Sequence, residues 1–151
     1  MNKWFVSIYV MYYIDSNIHQ EIIETIGNSP IESGGIIGIK NNIICKFYFD
    51  KHSNHKNDKY IPNVESLNNV ILDWYELNIE FIGIVHSHPN SCNIPSLDDL
   101  TYAKKLKQHN PSLKKILFPI VTKESHCIEI TFYEFDNDFS RVNVKIINKD
   151  K

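Results

Sequence analysis

The apolar residues of this sequence fall into runs of strand length, separated by stretches in which apolar positions recur every three or four residues, and that alternation leaves few folds open. Lys3 to Tyr12, rich in aromatic and β-branched residues, reads as a first strand. A helix follows, capped by Asp15 or Ser16, with Ile18, Ile22, Ile23 and Ile26 at helical spacing and Gly27 and Pro30 stopping it. "IESGGIIGIK" and "NIICKFYFD" read as two strands joined through Asn41 and Asn42 in a hairpin. The polar segment "KHSNHKNDKYIPN" reads as a surface loop. Asn63 then caps a helix from Val64 to Leu77, whose apolar face is Leu67, Val70, Ile71 and Trp74. "EFIGIVHSH" is a strand, Leu97 to Gln108 a helix, and "KILFPIVT", "CIEITFYEF" and "RVNVKII" three closing strands. Pro119 gives the first of these three an exposed or bulged edge. The sum is a mixed α/β architecture, one curved β-sheet flanked by helices.

With 151 residues and no repeat, low-complexity tract or Pro/Gly linker, residues 1–151 read as one domain able to bury roughly two thirds of its unfolded surface. The formal net charge is -2, with no basic stripe and Arg141 as the only arginine, so nothing electrostatic points to nucleic acid or an anionic membrane surface. "MNKWFVSIYVMYY" carries too many polar residues for a signal peptide, and no apolar run reaches membrane-spanning length. Cys45, Cys92 and Cys127 are odd in number and lack a CxxC, which argues against both a disulfide framework and a cysteine zinc cluster. A cytoplasmic protein with reduced thiols is expected.

The chemistry concentrates in "FIGIVHSHPNSCNIPSLDDL", Phe81 to Leu100. On a strand, Ile82, Ile84, His86 and His88 share one face while Gly83, Val85 and Ser87 share the other. The two imidazoles stand roughly 7 Å apart at the backbone, close enough to converge on one zinc at about 2.1 Å each. Pro89 ends the strand, and the chain returns to Ser96, placed to cap the next helix, with Asp99 in its first turn. Asp99 can face back as a third ligand, leaving a fourth tetrahedral position for water as in catalytic zinc sites. Each half also has an ordinary account: strand-end histidines on one side, a capping box of the Ser-x-x-Glu kind on the other. Their order and spacing together are far more specific than either alone.

"HSHPNSCNIPSLDD" resembles the motif of the JAMM (MPN+) zinc metalloproteases, a distant Glu followed by His-x-His-Pro and then Ser-x-x-Asp at this spacing. "IESGGIIG" is similar to that family's upstream Glu segment, and the element order is similar to its α/β sandwich, JAB/MPN-like and cytidine-deaminase-like. The resemblance implies a small stand-alone JAB/MPN-type metalloprotease domain. By it, Glu32 is the general base and acid, His86, His88 and Asp99 hold one Zn2+ per chain, and Ser96 helps hold the transition state. It implies cleavage of a peptide or isopeptide bond in a protein or peptide substrate, after the tail of a ubiquitin-like or sulfur-carrier protein.

Two rivals stand beside this one. A non-catalytic scaffold of the same fold predicts loss of a motif residue, yet all five are present; a DNA-processing relative fits poorly with one arginine and near-neutral charge. The deaminase zinc signature, His-x-Glu with Pro-Cys-x-x-Cys, is absent. His52 and His55 read as solvated loop histidines, and Cys92 as a loop thiol, since a fourth protein ligand would close the site.

Overall fold

The computed structural model describes residues 11–56 and 58–148. In chain order its elements are β1 (Tyr12–Asp15), α1 (Ser16–Thr25), β2 (Gly34–Lys40), β3 (Ile43–Phe49), β4 (Asn54–Lys56), β5 (Lys59–Ile61), α2 (Val64–Glu76), β6 (Glu80–Ser87), α3 (Leu97–His109), β7 (Ile116–Leu117), β8 (Ile120–Glu124), β9 (Cys127–Thr131), β10 (Tyr133–Phe135), β11 (Phe139–Arg141) and β12 (Val144–Ile147). The expected first strand falls outside the described residues up to position 10, and β1 begins at the last residue of that expectation.

Local chemistry sets several boundaries. The Asp15 carboxylate accepts the Asn17 N–H at 3.1 Å and starts α1. Asn63 does the same for α2 through the Ser66 N–H, also at 3.1 Å. Asn41 and Asn42 sit at φ 55° and 62°, the left-handed pair that a two-residue hairpin turn needs, and β2 and β3 pair antiparallel across them.

The main sheet runs β11-β10-β7-β6-β2-β3-β1-β12, with β8 pairing on β6 and β9 on β8. β2 and β6 lie at its centre and are buried on both faces. On one face, Ile22 of α1 and Ile26 at its C-terminal cap pack with Ile14, Ile37, Ile39, Ile44 and Val85. On the other, Leu67 and Trp74 of α2 pack with Ile36, Phe81, Ile84 and Ile116, while Tyr102 and Leu106 of α3 press against the same cluster. The result is a curled mixed sheet with helices on both faces. No helix among the described residues is long and apolar enough to cross a membrane.

Three expectations are corrected. The segment after β3 is not a plain loop: β4 and β5 pair antiparallel, His55 opposite Tyr60. The three closing strands are six. Pro119 divides the first, and both pieces line the same edge of β6: β7 meets it at Gly83, β8 at His86 and Ser87. The second divides at Phe132, where the chain crosses from β9 to β10. Finally, Ile82 does not share a face with Ile84 and His86. The β2–β6 register jumps from Ile37↔Gly83 to Gly38↔Phe81, so Ile82 is an extra residue that reverses the alternation and packs against the α1 side.

Gly83 and Gly38 test this packing. A Cβ at Gly83 would stand 1.8 Å from the Leu117 carbonyl oxygen, which is backbone held in the sheet, whereas at Gly38 the nearest atoms are side-chain carbons of Ile79 and Trp74 at 2.7 and 2.9 Å. Gly38→Ala is expected to cost within the roughly 1–3 kcal/mol of ordinary overpacking, and Gly83→Ala more than that. Urea midpoints measured at unchanged m-value check the ranking.

Candidate metal centre

His86 and His88 leave the C-terminal end of β6 on one side. Beyond Pro89 the chain reverses through Asn90 and Ser91, both at φ 59°. The return path is pinned from outside: the Ser91 hydroxyl donates to the Lys123 carbonyl at 3.1 Å, and the Tyr133 hydroxyl to the Asn93 carbonyl at 2.7 Å. It delivers Ser96 as the cap of α3. Ser96 Oγ accepts the Asp99 N–H at 3.1 Å, and Asp99 Oδ2 accepts the Ser96 N–H at 2.8 Å, a complete capping box.

Capping leaves the Asp99 carboxylate free for a second task. Its Oδ1 lies 3.0 Å from His86 Nε2 and its Oδ2 2.9 Å from His88 Nε2, while the two Nε2 atoms are 2.9 Å apart. These three side chains can hold a metal ion, and they form the one such group among the described residues. The cluster is largely buried, the three side chains being 6%, 9% and 13% exposed.

The imidazoles are held in order. His88 Nδ1 lies 2.9 Å from the Cys92 carbonyl; since a carbonyl only accepts, Nδ1 carries a proton, and in the neutral ring Nε2 would present its lone pair, the form a metal ligand needs. The His86 ring stands edge-on to Phe118 at a centroid distance of 5.2 Å, and its buried Nδ1 has no hydrogen-bond partner among the described residues, so the polar role of that ring falls to Nε2. Burial would lower the His88 imidazole, but the bond to Asp99 and its charge outweigh this and leave it raised. Burial would likewise raise Asp99, yet hydrogen bonds from His86 and His88 hold its carboxyl well below the ordinary range. Asp99 is therefore held as an anion between the two imidazoles.

Glu32 arrives from the segment just before β2. Gly34 pairs with His86, Ser87 N–H donates to the Ser33 carbonyl at 2.9 Å, and Ser33 N–H to the Ser87 hydroxyl at 3.0 Å. Continuing this register sets Glu32 opposite His88. All five residues singled out in the sequence, Glu32, His86, His88, Ser96 and Asp99, line one cleft of about 590 Å³.

The opposite wall comes from the polar segment that the sequence reads as a surface loop. Lys56, Lys59, Tyr60 and Ile61 of the β4–β5 hairpin line the cleft, and Lys59 Nζ meets Asp98 of α3 at 2.6 Å across its mouth. Strands of three residues in a polar segment carry almost no periodic signal, though the alternation of His55 and Tyr60 with charged neighbours is the trace of one. Cys92 gives its carbonyl to His88 and also lines the cleft, but its thiol is not part of the metal group. Neither are His52 and His55, although His55 Nε2 lies 2.8 Å from the Glu32 carbonyl.

Among solved structures, the solution structure of protein DSY2949 from Desulfitobacterium hafniense superposes with a TM-score of 0.70 at 13% identity, covering 92% of this chain and 94% of that one. The crystal structure of AF2198, a JAB1/MPN domain protein from Archaeoglobus fulgidus, gives 0.54 at 16% identity, with 91% and 97% covered. At such identities these likenesses concern the fold, which is the JAB/MPN-like α/β fold. No curated protein matches. The family described as prokaryotic homologs of the JAB domain matches residues 17–133, a span that takes in Glu32 and the whole cluster from His86 to Asp99. This chain belongs to that family, the prokaryotic homologs of the JAB domain.

Proposed function

We propose that this protein is a zinc metallopeptidase of the JAMM type, hydrolysing a peptide or isopeptide bond next to the C-terminal tail of a ubiquitin-like or sulfur-carrier protein. The observation that carries this reading is the meeting of His86, His88 and Asp99 in the wall of a cleft that Glu32 also lines. Two nitrogens and one carboxylate suit zinc. Tetrahedral ligand atoms at about 2.1 Å from zinc stand roughly 3.4 Å apart, and the triangle of 2.9–3.0 Å fits after a small opening. Zinc held there would lower the pKa of a water molecule and polarise the scissile carbonyl.

The chain's own residues supply the rest. Glu32, opposite His88, takes the proton of the attacking water and passes it to the leaving amine. The Ser96 oxygen is engaged as an acceptor by the Asp99 N–H, which leaves its O–H to donate toward the oxyanion that develops on the substrate carbonyl. The Cys92 carbonyl keeps the His88 ring from turning. The cleft runs between the strand ends of β2 and β6 and the hairpin, and an extended tail with small residues at the scissile bond suits it. A scaffold reading gains no support from a site in which all five motif residues are present on one cleft. A net charge of -2 gives no support to a DNA-processing role. The three free cysteines suit a reducing compartment, and we place the protein in the cytoplasm.

Metal analysis is expected to give one zinc per chain, lost in His88→Ala; full occupancy in that variant would remove the assignment of the ligands. Glu32→Gln is expected to keep zinc and fold while turnover falls by roughly 10²- to 10⁴-fold or more. The assay is a panel of ubiquitin-like fusions and plain peptides, with and without chelator. Loss of zinc in Glu32→Gln would make Glu32 a ligand, and unchanged turnover would strip it of its role. Tails with glycine at the scissile bond should be cut faster than tails with bulky residues, and equal rates would count against a narrow cleft.

A further inference from the structure

We propose that Asp50 is a positioning residue of the cleft, clamping the β4–β5 hairpin to the strand that presents Glu32. Asp50 follows β3 directly and is 1% exposed. Its backbone N–H donates to the Gly34 carbonyl at 2.9 Å, which ties it to the Glu32 segment. Its carboxylate Oδ2 accepts the Tyr60 hydroxyl at 2.8 Å and the Asn63 N–H at 2.9 Å, which ties it to the far wall.

Tyr60 closes the circuit. Its ring lies so close over Gly34 that a Cβ there would meet it at 2.3 Å. Its backbone N–H points to Glu32 Oε1 at 3.5 Å, and His55 beside it reaches the Glu32 carbonyl at 2.8 Å. Glu32 is thus bracketed by β6 on one side and by the hairpin on the other. The hairpin's other tie, Lys59 to Asp98, is exposed at both ends and screened by salt, so it holds weakly.

A purely structural reading explains less. Burying a carboxylate is costly, and Asp50 Oδ1 is buried with no hydrogen-bond partner among the described residues, so an apolar or amide side chain would serve the packing better. What a carboxylate adds is an acceptor with no donor of its own, which fixes the Tyr60 hydroxyl as the donor and hence the tilt of the ring. Burial first and the bond to Asp50 second push the Tyr60 phenol well above its ordinary value, so it stays protonated for that bond.

The effect of Asp50 on turnover rests on the reading of Glu32 as proton carrier; its effect on the hairpin does not. The test therefore has two arms, applied to Asp50→Leu, Asp50→Asn, Tyr60→Phe and Gly34→Ala in the full chain. Amide hydrogen exchange of residues 54–61 is expected to speed up by about ten-fold or more in Tyr60→Phe, the equivalent of one hydrogen bond to a charged group. Gly34→Ala and Asp50→Leu should do the same, and Asp50→Asn, which keeps an acceptor, much less. Exchange in α1 and zinc content should stay as in wild type. In the second arm Tyr60→Phe lowers kcat with little change in KM, and adds no further loss once Glu32 is Gln. Unchanged exchange in the hairpin overturns the proposal, as does a general rise throughout the chain, and losses additive with Glu32→Gln overturn the link to Glu32. If the wild-type chain cleaves nothing in the panel, the peptidase reading fails, and the exchange arm alone upholds or overturns the clamp.

Discussion

The ladder between β2 and β6 is the constraint on which the site depends. It is antiparallel, central and buried on both faces, and its register decides which residues of two distant segments meet. Gly34 opposite His86 brings Ser33 against Ser87 and carries Glu32 to the cleft that His88 also lines. A slip of one residue would turn Glu32 to the other face and leave the histidines without it. The bulge at Ile82 belongs to the same constraint. By inserting one residue it lets Phe81 and Ile84 both face α2, so the strand stays apolar below while still presenting His86 above.

Two serines show how closely the register is held. Ser87 lies between the histidines, and its hydroxyl receives the Ser33 N–H just beyond the end of β2. The ladder is thereby extended by a side chain where the backbone pairing ends. Glu32 then emerges from a fixed end rather than a frayed one. Glycine serves the opposite wall, since only a residue without a side chain at position 34 admits the Tyr60 ring.

How much of this was readable from the chain depended on how local each feature is. The caps Asp15, Asn63 and Ser96 and the Asn41-Asn42 turn are set by neighbours within three residues, and the sequence carries them plainly. The meeting of His86, His88 and Asp99 is legible for the same reason: an i, i+2 pair on a strand and a cap three residues before Asp99 are short-range geometry. Ile82 was misplaced because period-2 reasoning assumes an unbroken pleat, and the bulge depends on what β2 demands. The closing strands were merged because "KILFPIVT" is continuous in hydrophobicity, while its break at Pro119 follows from lining one edge of β6 in two places. The hairpin was hidden because its stability comes from Tyr60 and Asp50, a contact that no local pattern announces.

The spacing of the site residues along the chain separates local contacts from distant ones. His86, His88 and Asp99 lie within one strand–loop–helix segment, so closing that loop costs little entropy and needs few distant contacts. Glu32 is separated from His86 by the β2–β3 hairpin, the β4–β5 hairpin and all of α2, and it reaches the cleft only when the central ladder zips. The three-residue cluster and the carboxylate that shares its cleft therefore rest on contacts of very different range. Loss of the β2–β6 pairing would part Glu32 from the cleft, while His86, His88 and Asp99 would stay joined through one short stretch of chain.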